Sequence, residues 1–108
     1  MTDSNAAPRE ILIALVNAVK GKDDEFNDWY SNTHIPQVVA LPGFVSAQRY
    51  ETASVGATGF RYATVYEIEG SAAEAQATLF SAGLGGTDTQ DLQQMFFGAF
   101  APMHGPKQ

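Results

Sequence analysis

The stretch "REILIALVNAV", residues 9–19, limits what this chain can fold into more than any other. It is too short and too β-branched to favour a helix. Its apolar residues fall on both sides of an extended chain, with Ile11, Ile13 and Leu15 against Leu12, Ala14 and Val16. That is the pattern of a strand covered on both faces. A chain of 108 residues holds one core and not two, so the domain must either cover both faces itself or share one with a neighbour.

The remaining elements follow from local signals. "GKDDEF" offers a glycine turn and three acids, Asp23, Asp24 and Glu25, suited to the positive end of a helix. The helix is expected over residues 23–34. Pro36 should kink or break it at Ile35, leaving "PQVVAL" as a final turn or two before "PGF" at residues 42–44. In "GFVSAQRYE", Phe44, Ser46, Gln48 and Tyr50 alternate with Val45, Ala47, Arg49 and Glu51, a second strand. A loop over residues 52–59 precedes "FRYATVYEIEG", in which Phe60, Tyr62, Thr64, Tyr66 and Ile68 share one face of a third. Ser71 stands three residues before Glu74, the capping-box spacing, ahead of an alanine-rich helix ended by Gly83. "LGGTDTQDLQQM" reads as a glycine loop and a short helical turn, and "FFGAFAPM" as the last strand.

The order is β-α-β-β-α-β, an α+β chain of ferredoxin-like type with a four-stranded antiparallel sheet. Residues 1–8 read as a flexible arm, 9–103 as the domain and 104–108 as a tail. Two helices cover one face of such a sheet, so the apolar second face asks for another layer. A second copy of the sheet about a two-fold axis supplies it, and a homodimer is expected.

Composition narrows the functions. Twelve acidic against six basic residues leave a net charge of −6. The bases, Arg9, Lys20, Lys22, Arg49, Arg61 and Lys107, are scattered along the chain. Nucleic-acid binding needs a concentrated positive surface, so no nucleic-acid partner is expected. No segment approaches a membrane span, and the polar start does not read as a signal peptide. With no cysteine, thiolate chemistry is excluded and a cytoplasmic setting is expected.

Chemistry concentrates in "EFNDWYSNTHIPQVVALPGF", residues 25–44. Phe26, Trp29, Tyr30 and His34 stand three and four apart and lie along one broad side of a helix. Facing the sheet, they would set an imidazole, a phenol and an indole beside the aromatic face of the third strand. That is the composition of a small-molecule pocket. An aromatic stripe at helical spacing is more often plain core, which is the first reading for Phe26 and Trp29, and a histidine near a helix end can simply favour the negative end of the dipole. His34 is nonetheless the side chain whose ordinary pKa suits proton transfer near neutral pH. His104, in the tail, is the other histidine and could fold over a pocket. Two histidines 70 positions apart make no zinc signature, and no metal site is expected. Arg49 and Arg61 either pair with Glu51, Glu67 or Glu69 across strands, or orient a carboxylate or enolate ligand.

Phe26, Trp29, Tyr30, His34 and Pro36, followed by "LPGF" and "RYE", resemble the EthD-like branch of the dimeric α/β-barrel superfamily. The resemblance implies a protomer whose sheet joins a second one into a closed barrel, with a pocket between sheet and helices. It also implies a range of activities: cofactor-free monooxygenases, cyclases and dehydratases, isomerases, decarboxylases, haem-degrading enzymes and stress proteins. Haem degradation fits poorly, since the one tryptophan shares a helix with His34.

The expected function is a lyase or isomerase without a cofactor, acting on a small aromatic, lactone or polyketide-like substrate. His34 would be the general acid or base. Tyr30 and Tyr66 would hydrogen-bond a developing enolate, and Trp29 with Phe60 would wall the ring. Phe26, Tyr62, Arg49, Arg61 and His104 complete the expected substrate contacts. The alternatives are a cofactor-free monooxygenase of phenols and a non-catalytic small-molecule-binding or stress-response dimer.

Overall fold

The computed structural model describes residues 8–54 and 56–103. The chain forms strand β1 (Glu10–Ala18), helix α1 (Asp23–Trp29), a π-helical stretch (Tyr30–His34) and helix α2 (Ile35–Val39). Strands β2 (Phe44–Glu51) and β3 (Tyr62–Ile68), helix α3 (Ala72–Ser81) and strand β4 (Gln90–Phe100) follow. All four strands join one antiparallel sheet in the order β2-β3-β1-β4. The fold is α+β, and its order and pairing are compatible with the ferredoxin-like expectation.

The double-sided strand takes the interior place that its pattern requires, paired with β3 on one side and β4 on the other. Leu12, Ala14 and Val16 are buried under the helices, together with Tyr62, Thr64, Tyr66 and Ile68 of β3. Val38 of α2 and Ala72 and Ala75 of α3 close one part of this core, and Phe26 with Tyr30 closes the other. On the opposite face Ile11, Ile13, Leu15 and Val65 are half-buried, and Phe96 and Phe100 are exposed. The rings of Phe96 and Phe100 lean over Gly98, where a Cβ would lie 2.7 Å from the first and 3.0 Å from the second. A side chain at position 98 would have to push these exposed rings aside.

Four local expectations are corrected. The first concerns the proline: the helix does not break at Ile35 but passes through the π stretch into α2. The amide of Ile35 donates to the carbonyl of Tyr30, five residues back. Pro36 has no N–H, and in α geometry its ring would press on the carbonyl four residues earlier. One widened turn takes up that conflict without ending the helix.

The second lies in β2. Phe44 pairs with Ile68 and Ser46 with Glu67, so the ladder shifts by one residue between them. The extra residue puts Phe44 on the same face as Ala47 and Arg49, where strict alternation would separate them. Third, β3 begins at Tyr62, and Phe60 precedes it.

The fourth lies in β4. Residues 90–95, read as a helical turn, belong to the strand. Val16 faces Met95 and Ala18 faces Gln90, so residues 91–94 loop out of a ladder that resumes beyond them. Gln90 and Met95 find partners on the free edge of β1 and hold the stretch between them in the strand, whatever its own preference.

Candidate active site

Two parallel rows of side chains descend the first helical segment. Phe26, Tyr30 and His34 make an aromatic row, and Asp23, Asn27 and Ser31 a polar one at the same four-residue spacing. Both rows face the sheet. Phe26 and Tyr30 are buried, with ring centroids 5.3 Å apart. Tyr62 closes against Phe26 from β3, at 5.7 Å.

The π stretch sets the end of the aromatic row. Trp29 and His34 are five residues apart, a spacing that an α-helix turns away from one face. Here their rings stack at 4.9 Å with 19° between planes. His34 also meets the Tyr30 ring edge-on at 4.8 Å. The imidazole Nδ1 is buried and has no hydrogen-bond partner among the described residues. Burial, and then the positive charge of Arg49, push the His34 pKa below its ordinary value.

Arg49 reaches this cluster from β2, the edge strand, because of the bulge after Phe44. Its guanidinium carbon lies 4.5 Å from the Tyr30 ring centroid and 5.4 Å from that of Tyr62. Nη2 donates to Asn27 Oδ1 at 3.0 Å and Nη1 to Ser31 Oγ at 3.1 Å. Nε is buried and unpartnered. None of the cross-strand pairs expected for this arginine forms, and among the described residues no carboxylate lies in salt-bridge range of it. Its pKa is lowered by burial, against which the phenols of Tyr30, Tyr62 and Tyr66 act.

The polar row leads away from Arg49. Asn27 Nδ2 donates to the Tyr62 hydroxyl at 3.2 Å, and Tyr62 donates to Asp23 Oδ2 at 2.6 Å. Arg61 completes the chain on the same carboxylate oxygen at 3.1 Å, so its partner is Asp23 and not a cross-strand glutamate. The Tyr62 bond, and then Arg61, hold Asp23 below the usual carboxylate range. Tyr62 is raised, first by burial and then by Asp23.

Beneath these groups Thr64 is fully buried and its Oγ1 has no partner. It faces Arg49 directly across the ladder. Tyr66 is buried beside it on the same strand face. Burial first, then the Tyr30 phenol, drive its pKa far above the ordinary tyrosine value.

The structure thus brings together Phe26, Trp29, Tyr30, His34, Arg49, Tyr62 and Tyr66. Phe60 is elsewhere: it lines a depression of about 180 Å³ with Leu15, Tyr50 and Ala63 on the sheet face away from the helices, so it cannot wall a ring with Trp29. Arg61 borders that depression too, and also a second hollow of about 480 Å³ with Asn17, Lys20 and Asp91. A third of about 440 Å³ lies beside Arg9 and Glu69. None of these is lined by His34. The helix packs its aromatic row shut against β3, and His34 with Arg49 reaches partial exposure at the β2 edge. His104 lies outside the described residues. Asn27, Ser31 and Thr64 were missed, although the four-residue spacing from Asp23 marks the polar row beside the aromatic one.

Residues 11–99 match the family described as "Domain of unknown function (DUF4286)". The chain belongs to this family. No curated protein and no solved structure matches it. Among the described residues no group of three or more His, Cys, Asp or Glu could hold a metal ion, and no helix is long and apolar enough to cross a membrane.

Proposed function

We propose that the chain is a cofactor-independent lyase or isomerase that moves a proton on a small aromatic, lactone or polyketide-like molecule. The observation that carries this reading is His34, stacked on Trp29 at a π-helical turn and held toward its neutral form by burial and Arg49. A neutral imidazole at neutral pH is ready to act as a base. Its Nδ1 is turned inward, which leaves Nε2 to meet a substrate. Nε2 takes a proton from carbon beside a carbonyl, and the electron pair of that C–H bond passes to the carbonyl oxygen as an enolate. The imidazolium then returns the proton, to another carbon in an isomerase or to a departing oxygen in a lyase. Tyr30 holds the imidazole edge-on, and Tyr66, whose pKa is far raised, stays protonated.

The experiment is a thermal-shift screen of phenols, hydroxybenzaldehydes, lactones and small keto acids, with product analysis of each hit. His34→Ala is expected to lower turnover by about two to four orders of magnitude while changing ligand affinity little. Turnover at the parent rate in that variant overturns the assignment. Binding without any product would replace it with the non-catalytic reading, and oxygen uptake with a phenol by the monooxygenase reading.

The reading includes a cytoplasmic homodimer. It is supported by the absence of cysteine and by the uncovered sheet face of Ile11, Ile13, Leu15, Val65, Phe96 and Phe100, which a second copy would bury. Ile13→Lys should shift the sedimentation coefficient to that of a monomer, and a wild-type chain that already sediments as one would remove the dimer.

A further inference from the structure

We propose that Arg49 and Thr64 form a carboxylate-binding subsite, and that the molecule on which His34 acts is a small carboxylic acid in its anionic form. Binding of a carboxylate stands by itself, while its being the substrate rests on the proton-transfer reading above.

Arg49 is half-buried, and its charge is met by two neutral oxygens and three aromatic faces. A guanidinium drawn out of water is normally compensated by a carboxylate. Here the nearest one on its hydrogen-bond chain, Asp23, is reached only through Asn27 and Tyr62, and it is already engaged by Arg61. The second observation is independent of charge. Thr64 is completely buried with its hydroxyl unpartnered, directly across the ladder from an arginine whose Nε is also unpartnered. Buried polar atoms are seldom left so, and here two stand at facing positions of neighbouring strands. A carboxylate accepts on both oxygens and matches the fork of an arginine, so one such group answers both orphans and the missing counter-charge.

The placement fits the chemistry. Arg49 and His34 both contact the Tyr30 ring, so an anion held at Arg49 presents its neighbouring carbons toward the imidazole. Tyr62 and Tyr66, both with raised pKa values, are neutral donors. His34 and Asp23 are the other titratable groups of the cluster. Asn27 and Ser31 fix the guanidinium plane and leave Nε buried and unpartnered, a donor that a carboxylate reaches only by displacing the side chains that cover it.

The test uses benzoate and its uncharged isostere benzamide, followed by titration calorimetry and by the fluorescence of Trp29, the single tryptophan. Benzoate is expected to bind and to raise the melting temperature, and benzamide to do neither. Arg49→Met should weaken benzoate by about 10- to 100-fold, as expected for loss of a charge-assisted pair. Thr64→Val, which keeps shape and removes the hydroxyl, should weaken it several-fold. Arg49→Lys keeps the charge without the fork and should fall between wild type and Arg49→Met; it serves where the methionine variant does not fold. Equal binding of the two probes, failure of benzoate to bind, or unchanged benzoate affinity in these variants overturns the subsite. The two readings part in His34→Ala, which should still bind benzoate. Benzoate binding with no turnover of any acid would sink the proton transfer and leave the subsite. Turnover of neutral molecules indifferent to Arg49 would do the reverse.

Discussion

The two helical layers over the sheet are built by opposite rules. Helix α3 starts as its local signals direct, with the Ser71 hydroxyl accepting from the Glu74 amide at 3.1 Å; Glu10 of β1 accepts from the Ala72 amide at 2.8 Å, and buried Ala72 and Ala75 bring the helix close to the sheet. The segment from Asp23 to Val39 has no side-chain cap at Lys22, carries a π turn and a proline, and buries bulky rings where α3 buries methyl groups. The orphaned Nδ1 of His34 belongs to it, and the orphaned Arg49 Nε and Thr64 Oγ1 lie on the strands beneath. Departures from local rules collect where side chains must be presented in a set geometry. A layer that only closes the core has no need of them.

The contrast can be broken by mutation, beginning where the effect should be largest. Phe26→Ala empties a fully buried site and should cost about 3–5 kcal/mol in denaturant melts; a loss as small as that of an exposed residue would mean that the aromatic row is not core. On α3 the sensitive change is enlargement. Ala75→Leu should cost about 1–3 kcal/mol by overpacking, and a neutral result would show the helix free to move outward. Capping should follow, with Ser71→Ala costing about 1 kcal/mol and Lys22→Ala staying within about 0.5 kcal/mol; equal losses would erase the difference between the two helix starts.

The subtlest expectation concerns pH. His34 has a lower pKa in the fold than its ordinary 6.5, so between those values the unfolded chain binds the additional proton. Its contribution to stability is therefore complete above 6.5 and declines as pH falls toward the folded value. Denaturation midpoints near about pH 7 and about pH 5 should differ less in His34→Gln than in wild type. The stacked indole of Trp29 offers a local readout, and a fluorescence titration centred at or above the ordinary histidine value would contradict the shift.

Much of the fold could be read from residues alone. The double-sided apolar pattern of residues 9–19 placed an interior strand, and Ser71 with Glu74 placed a helix start, because both signals are local. The spacing of Phe26, Tyr30 and His34 likewise foretold one helix face. The site was less legible. Period-two alternation put Phe44 and Arg49 on opposite faces, and a bulge joined them. Pro36 suggested a break, and a widened turn brought Trp29 onto His34. Residues 90–95 have helix-forming side chains, yet pairing of Gln90 and Met95 with β1 holds the stretch in the sheet. In each case a single inserted residue or a distant partner outweighed the local preference, which is worth only a fraction of a kcal/mol per residue.

By itself, the amino-acid order determined which segments extend and which coil, and the apolar load that makes one sheet face seek cover. Hydrophobic period and caps act over a few residues and need no partner to be expressed. Tertiary structure alone decided that Arg49 would sit over Tyr30 without a carboxylate, that Arg61 would take Asp23, and that Thr64 would be left with an unanswered hydroxyl. Those pairings depend on register and on which donors the closed fold brings within reach of each acceptor, and these are settled only when strands and helices close on one another.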